Sequence, residues 1–366
     1  MIERSHRSRI AALSAGIVSA SLLLAAAAPA FAQSPAASTA AGSPMTSSIK
    51  NIGYISPELA NDYGWNQQGW EGAQAAAAAY GATTQKADGS GYGDPTPVLH
   101  QLADGGAQLI IAQAGSYSTP GAAFAASDNI PVIVYDRPDL LKAGLVTDVE
   151  TDSQQGSYLA GVMAAKMSKT GTLGVVTSFA DDTNWLKQSG GFIKGALDTN
   201  PAIKFSIASI PSGDYSDAAG GKAVTQQVIA SGADIIIGMG DGSSFGMLDA
   251  VETATPPAGA DKVWFIDVIG DKTDPKVDTN GALLSSVLWN FAPAFEAGIA
   301  AIDAGTFGNE GFTLDLANGG ISLLQTPNIT ADAWAAVETA KAGILDGSIT
   351  IPVAASQADI TAMLPK

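Results

Sequence analysis

The sequence predicts an α/β protein built as two doubly wound, parallel-sheet lobes joined by a multi-strand hinge. Three observations lead there. Short β-rich runs alternate with helical stretches from residue 51 onward, and such alternation means parallel strands with right-handed crossovers. Runs such as LIIA (109–112) and DIIIG (234–238) are apolar almost throughout, which suits strands buried on both faces of a parallel sheet. The pattern also runs twice: AQLIIAQAGS then NIPVIVYD is echoed by ADIIIGMGDGS then KVWFIDV. In each half a helix ends in Gly and Ala, an isoleucine-rich strand follows, then a glycine turn and a strand ending in Asp. Two lobes of about 120–150 residues are implied.

Strands are expected at 51–56, 107–113, 131–136, 145–149, 172–178, 204–210, 233–240, 262–268 and 282–289, each a short run rich in Val, Ile, Leu or aromatic residues. Between them, WEGAQAAAAAY (70–80) has strong helix propensity. DPTPVLHQLADGG (94–106) opens with helix-start chemistry and closes on Gly. SQQGSYLAGVMAAKMSK (153–169) is apolar at helical spacing, and 216–232, 291–305 and 329–347 follow the same plan. The lobes are expected to comprise 49–150 with about 288–312, and 151–287 with about 313–366.

The N-terminus reads as an export signal. Arg4, Arg7 and Arg9 precede an uncharged apolar run, and Ala30-Phe31-Ala32 forms a small-residue cleavage pattern, so residues 1–32 are expected to be removed. Residues 33–48 form a Ser/Ala/Pro/Thr linker expected to be disordered. The chain has no cysteine. That excludes disulfides, thiolate chemistry and lipid attachment through an N-terminal cysteine. Export without disulfides points to a periplasm. Removing the signal takes three positive charges and one negative charge from the formal −17 and leaves −19, which argues against nucleic acid and anionic membrane as partners.

In open parallel sheets the ligand crevice lies at the carboxyl ends of the strands. Here those ends carry Ser56, Gln113, Asp136, Ser178, Gly240-Asp241 and Asp267, so the site is expected between the lobes. The segments that follow one another along the chain resemble the basic membrane protein (BMP) family of solute-binding proteins. DYGWNQ (62–67) is similar to the family's D-x-S-F-N-[DQE], and QQGSYLAGVMAAKMSKTGTLGVV (154–176) to its E-G-[SA]-Y-L-A-G stretch and K-T-G turn. GGFIKGALDTNPAIKF (190–205), DGSSFGMLDAVE (241–252), FIDV (265–268) and GILDGSITIP (343–352) follow in order. The resemblance implies the type I periplasmic-binding fold, service to an ABC importer, and a nucleoside ligand. Two departures stand out: Trp289 occupies the place of a family lysine that reaches sugar hydroxyls, and Asp241 enters the family's A-G-G-[TS]-G turn.

Trp65 is expected on a cleft-facing loop, where the family places an aromatic, and Trp70 in the core under the following helix. Asn66 beside it both donates and accepts, which suits a purine edge or a hydroxyl pair. Phe179, Asn184 and Trp185 offer an opposing wall, or cap their own helix; Gln113 and Tyr117 face the same choice. Asp136 stands at the lobe edge, with an ion pair to Arg137 as its structural alternative. Asp241 and Asp267 are expected hydroxyl acceptors, because a carboxylate takes two hydrogen bonds from a vicinal diol, and Asp267's position carries ligand contact in the family. Trp289 is read as pocket wall or hinge packing.

Enzyme chemistry finds little support. His100 is the only histidine after the signal and offers no Ser-His-Asp set. GDGSSFG (240–246) lacks the G-K-[ST] of a phosphate loop, and neither FADD (179–182) nor GDYSD (213–217) has EF-hand spacing. No metal and no cofactor is expected. The reading is a monomeric, non-enzymatic solute-binding protein whose partners are a small ligand and an inner-membrane permease. A purine nucleoside or nucleobase is favoured over a monosaccharide or polyol; a sensor module that presents its ligand to a membrane kinase would use the same cleft.

Overall fold

The computed structural model describes residues 45–178 and 183–365. The expected signal peptide, most of the expected linker and the candidate Phe179 lie outside the described residues. From Met45 the chain is tied down: Met45 N–H donates to Ala79 O, and Ser48 donates through N and Oγ to Asp303 Oδ1 at 2.9 and 2.5 Å. No helix of the described residues is long and apolar enough to cross a membrane.

The first lobe begins β1 (Asn51–Ile55), α1 (Trp65–Tyr80), β2 (Thr83–Ala87), α2 (Thr96–Asp104), β3 (Leu109–Ala112), α3 (Ser118–Asp128), β4 (Val132–Tyr135) and β5 (Val146–Thr151). The chain then crosses to α4 (Ser153–Met167), β6 (Thr172–Thr177), α5 (Thr183–Thr199), β7 (Lys204–Ser209), α6 (Ala218–Ala230), β8 (Ile235–Ile237), α7 (Gly242–Glu252), β9 (Trp264–Ile269) and β10 (Leu283–Trp289). It returns for α8 (Ala292–Ala304), packed on α1, and β11 (Phe312–Leu314), then crosses again to β12 (Ile321–Leu323), α9 (Ala331–Leu345), packed on α4, and α10 (Gln357–Met363).

Two six-stranded sheets result, ordered β11-β5-β4-β3-β1-β2 and β12-β10-β9-β8-β6-β7. Every pairing is parallel except β12 with β10. In both sheets the strand order reverses at the first strand of the lobe, β1 or β6, which creates the switch-point crevice of doubly wound folds. Connections at 151–153, 289–292 and 314–321 link the lobes and form the hinge.

β3, β4 and β8 are buried at every position, as their unbroken apolar runs require. Strands β2, β11 and β12 escape the sequence reading because TTQKA is a polar edge and the other two span three residues each. Helices α3, α5, α7 and α10 also emerge. Contact between α4 and α5 is backbone to backbone: a Cβ on Gly161 would lie 2.1 Å from Phe192 O, and one on Gly191 2.3 Å from Gln154 O. The Q-G-S-Y-L-A-G and G-G-F segments are thus the two faces of one helix packing, which glycine alone permits.

Helix α1 starts earlier than the alanine run indicates, and Trp65 is its first residue rather than a loop residue. Asp62 supplies the reason. Its Oδ1 accepts from Gly64 N and Gln67 N at 3.0 and 2.9 Å, and its Oδ2 from Asn66 N at 3.1 Å, so one carboxylate satisfies amides that the helix start leaves open. Trp70, one turn on, is half-buried. Its ring lies 5.5 Å from that of Tyr54, with the Lys86 ammonium 5.5 Å from its centroid.

Candidate functional site

Between the carboxyl ends of the two sheets lies a cavity of about 440 Å³. The first lobe lines it with Pro57, Trp65, Tyr92, the Ala114-Gly115-Ser116 turn and Asp136. The second supplies Thr183, Asn184, Tyr215, Met239, Asp241, Ile269 and Trp289. Each group sits just past a strand: Pro57 after β1, Ser116 after β3, Asp136 after β4, Met239 and Asp241 after β8, with Ile269 and Trp289 ending β9 and β10.

Trp65 is fixed from several sides. Its indole N–H donates to Gln113 O at 2.8 Å. Its ring meets Tyr135, Phe291 and Trp289 edge-on at 5.0, 5.2 and 6.0 Å, the arrangement aromatic quadrupoles favour. Trp289 is therefore both cavity wall and hinge packing: it is buried, and its own N–H has no acceptor among the described residues.

Carboxylates from opposite lobes span the opening. Asp241, in the second lobe, accepts the backbone N–H of Trp65 on Oδ1 at 3.1 Å. Asp136, in the first, accepts from Asn184 Nδ2 at 3.2 Å. Burial, reinforced by the Asp62 carboxylate, pushes the Asp241 carboxyl up to about 7. Among the described residues, no Lys, Arg or His lines the cavity. Arg137, offered in the sequence as the structural alternative for Asp136, donates to Asp139 at 2.7 Å and to Thr119 at 2.9 Å.

A second set of contacts joins the lobes beside the cavity. Lys272 Nζ donates to Asp267 Oδ2 at 2.5 Å and to Tyr63 O at 3.1 Å, and Tyr63 Oη donates to Asp274 at 2.9 Å. Tyr63 has a φ of 52°, which aims its carbonyl across the gap, and Gly270 receives it: a Cβ there would lie 1.8 Å from Tyr63 O. Ile269 has a φ of 84° and Asp136 of 53°. Such values in non-glycine residues persist only where the surroundings enforce them, and they gather at binding sites.

Of the residues singled out in the sequence, Trp65, Asp136, Asn184, Asp241 and Trp289 are brought together around the cavity. The others are not. Asn66 is fully buried; its Nδ2 donates to Asp62 at 2.7 Å and its carbonyl accepts from Tyr54 Oη, so it builds the helix start. Gln113 is buried behind Trp65, bonded to Trp65 O and the Tyr135 hydroxyl. Tyr117 is buried in the first lobe and donates to Gly91 O. Trp185 backs the wall from inside, its ring 5.3 Å from Tyr215. Asp267 is sealed in its ion pair with Lys272, both side chains at 0% exposure.

Tyr92, Tyr215, Pro57, Ser116, Met239 and Ile269 were not anticipated. A signal existed for two of them: Tyr92 and Tyr215 follow β2 and β7, the equivalent strands of the two lobes. No group of His, Asp or Glu among the described residues is placed to hold a metal ion.

The family described as Bmp, ABC transporter substrate-binding protein PnrA-like, matches residues 49–353. The ABC transporter nucleoside-binding protein BmpA of Lactococcus lactis subsp. cremoris (strain MG1363) is 29% identical over 313 residues, covering 80% of this chain and 86% of that one. An ABC transporter system solute-binding protein from Conexibacter woesei DSM 14684 superposes with a TM-score of 0.68 at 21% identity, covering 83% of this chain and 99% of the other. A sugar ABC transporter (sugar-binding protein) from Bacillus halodurans does so with a TM-score of 0.58 at 18% identity, covering 75% and 97%. A match over that span of the chain shows the family: this protein belongs to the Bmp family of ABC transporter substrate-binding proteins.

Proposed function

We propose that this protein captures a small, flat, ring-shaped solute outside the inner membrane and delivers it to the permease of an ABC importer, with a purine nucleoside or nucleobase as the favoured class. The carrying observation is the aromatic-walled cavity between the carboxyl ends of both sheets, lined by Trp65, Trp289, Tyr92 and Tyr215. Indole faces stack on any planar ring, which suits a base. The nucleoside-binding relative supports the same class.

Capture works by closure. The lobes, 49–151 with about 290–314 and 153–289 with about 321–365, move about the crossing segments. A ligand favours the closed form because only there do both lobes touch it. Trp65 and Asp136 act from one lobe, Asn184 and Asp241 from the other, and no bond is made or broken. The protein works as a monomer in the periplasm after loss of residues 1–32.

A monosaccharide or polyol is the second reading. The paired carboxylates Asp136 and Asp241 favour it, since each can accept two hydroxyl donors, and a sugar-binding protein shares the fold. Mass spectrometry of small molecules released on denaturing the purified protein decides between them. A released base or nucleoside supports the first reading. A released sugar supports the second. No released molecule, together with no thermal stabilisation by nucleosides, nucleobases or sugars, would overturn both.

A further inference from the structure

Tyr63 reaches from the first lobe into the second with both its backbone and its side chain. Its carbonyl accepts from Lys272 Nζ at 3.1 Å, and its hydroxyl donates to Asp274 Oδ2 at 2.9 Å. Gly270 makes room for the approach, since a Cβ there would meet the Tyr63 carbonyl. Tyr63, Lys272, Asp274 and Gly270 all lie outside the cavity lining. These contacts therefore belong to the meeting of the lobes, and a solute in the cavity takes no part in them.

Each side is braced from within its own lobe. The Tyr63 N–H donates to Gln67 Oε1 at 2.9 Å, which ties the residue to α1. In the second lobe Ser286 Oγ donates to Gly270 O at 2.6 Å, and the Lys276 N–H donates to Asp274 Oδ1 at 2.9 Å. The Lys276 N–H, and then the Tyr63 hydroxyl, hold the Asp274 carboxyl below the usual carboxylate range. The acceptor is thus ionised and its bond to Tyr63 is charge-assisted. Lys272 has a matching need, because a buried ammonium must find partners for its three donors. Its own lobe supplies Asp267 Oδ2 and the Phe245 ring at 5.3 Å. The Tyr63 carbonyl from the other lobe completes the set.

We propose that Tyr63 is a positioning residue for solute capture: it clasps the second lobe with or without a solute, so the lobes rest mainly closed and the clasp sets affinity without touching the ligand. Opening breaks both Tyr63 bonds and returns Lys272 and Asp274 to water. Apparent affinity scales with the fraction of protein already in the competent form, so a clasp that populates closure tightens binding. It also slows escape, since release requires the lobes to part. The effect on affinity rests on the receptor reading, whereas the resting position of the lobes stands apart from it.

Spin labels on cysteines introduced at Gln101 and Gln226, exposed positions on α2 and α6 in opposite lobes, report the distance between the lobes. The chain has no cysteine of its own to compete for the label. Without added ligand the native protein should show one dominant short distance. Tyr63→Phe and Asp274→Ala should each move population to a longer one, lowering the closed-to-open ratio about 3- to 10-fold. The two groups share one bond, so the double variant should shift no further than Asp274→Ala alone. Asp267→Leu with Lys272→Met removes the ammonium without stranding its carboxylate and should add to the effect of Tyr63→Phe. Thermal melts verify that each variant folds. Titration with adenosine should show Kd raised in Tyr63→Phe by up to the same factor, with the change in the dissociation rate. A native protein that rests open, a distance unchanged in Tyr63→Phe and Asp274→Ala, or effects of the two that simply add, overturns the clasp. Distances that shift as expected while the native protein binds no adenosine uphold the clasp and count against the nucleoside reading.

Discussion

The Asp241 carboxylate accepts the backbone N–H of Trp65 at 3.1 Å, so a side chain of the second lobe is bonded to the first residue of a helix in the first. The bond lies at the edge of the cavity and is made by the lobes alone. It follows that the molecule carries contacts of its own that favour closure, which a ligand supplements.

Asp241 should impose a pH dependence on stability. Its folded-state carboxyl is raised to about 7 from 3.8, chiefly by burial. The folded chain therefore holds a proton that the unfolded chain has lost between about pH 4 and pH 7. Each step upward in that window penalises the folded state; below it both forms are protonated, and above it both are ionised and the penalty is constant. Compared with Asp241→Asn, the native protein should lose on the order of 2–4 kcal/mol as pH rises through the window, then run parallel to the variant. Urea denaturation at pH 4 to 8 measures this, and a constant difference across the range contradicts it.

Asp267 and Lys272 make a separate prediction. Burial raises the Asp267 carboxyl and the Lys272 ammonium opposes that shift. Lys272→Met strands a buried carboxylate and should cost about 3–5 kcal/mol, whereas Asp267→Leu with Lys272→Met should recover most of it, because the unpaired charge is the penalty. Denaturant melts of the single and double variants decide. A ligand contact at Asp267 would give the reverse pattern, with affinity lost and stability kept in Asp267→Asn.

Asp267 also marks where the sequence stops being legible. Buried strands such as LIIA and VIVY are recognisable because both faces need apolar side chains. Where a strand ends is decided by the sheet, and β9 runs on to Ile269. Asp267 and Ile269 share a face two residues apart, so one tip residue replaces the other at the cavity. The same limit hid Trp65's place in a helix, since its start depends on Asp62 reaching forward to three amides. Tyr92 and Tyr215 sit in loops with no periodicity of their own and become visible only when the internal repeat is extended from the strands to the connections after β2 and β7. Asp136 and Asp241 were readable because each directly follows or nearly follows an unmistakable strand.

Gly270 should act as a closure residue. A methyl group there would meet Tyr63 O at 1.8 Å, and backbone on the other side of the gap has little room to move. Its φ does not lie in the left-handed region, so alanine adds no local strain and the effect is confined to the approach of the lobes. Gly270→Ala should raise the ligand Kd at least tenfold, about 1.4 kcal/mol, by depleting the closed form. Small-angle scattering at saturating ligand should show a larger radius of gyration than the native complex. An unchanged Kd and radius would place the hinge's closed limit elsewhere.

Trp65 and Trp70 lie five residues apart on one helix and should fail in different ways. Trp65 lines the cavity, while Trp70 packs on Tyr54 away from it. Trp65→Ala removes a stacking face worth roughly 1–3 kcal/mol per base, so affinity should fall about 5- to 150-fold. It also loses the edge contacts to Tyr135 and Phe291, so some stability goes with it. Trp70→Ala should lower stability by about 1–3 kcal/mol, less than a fully buried ring because it is half-exposed, and leave Kd within about threefold. Titration of both variants with the ligand released from the native protein, alongside their thermal melts, separates the two roles. Equal losses of affinity in the two variants would mean that α1 moves as a unit and that neither indole touches the ligand.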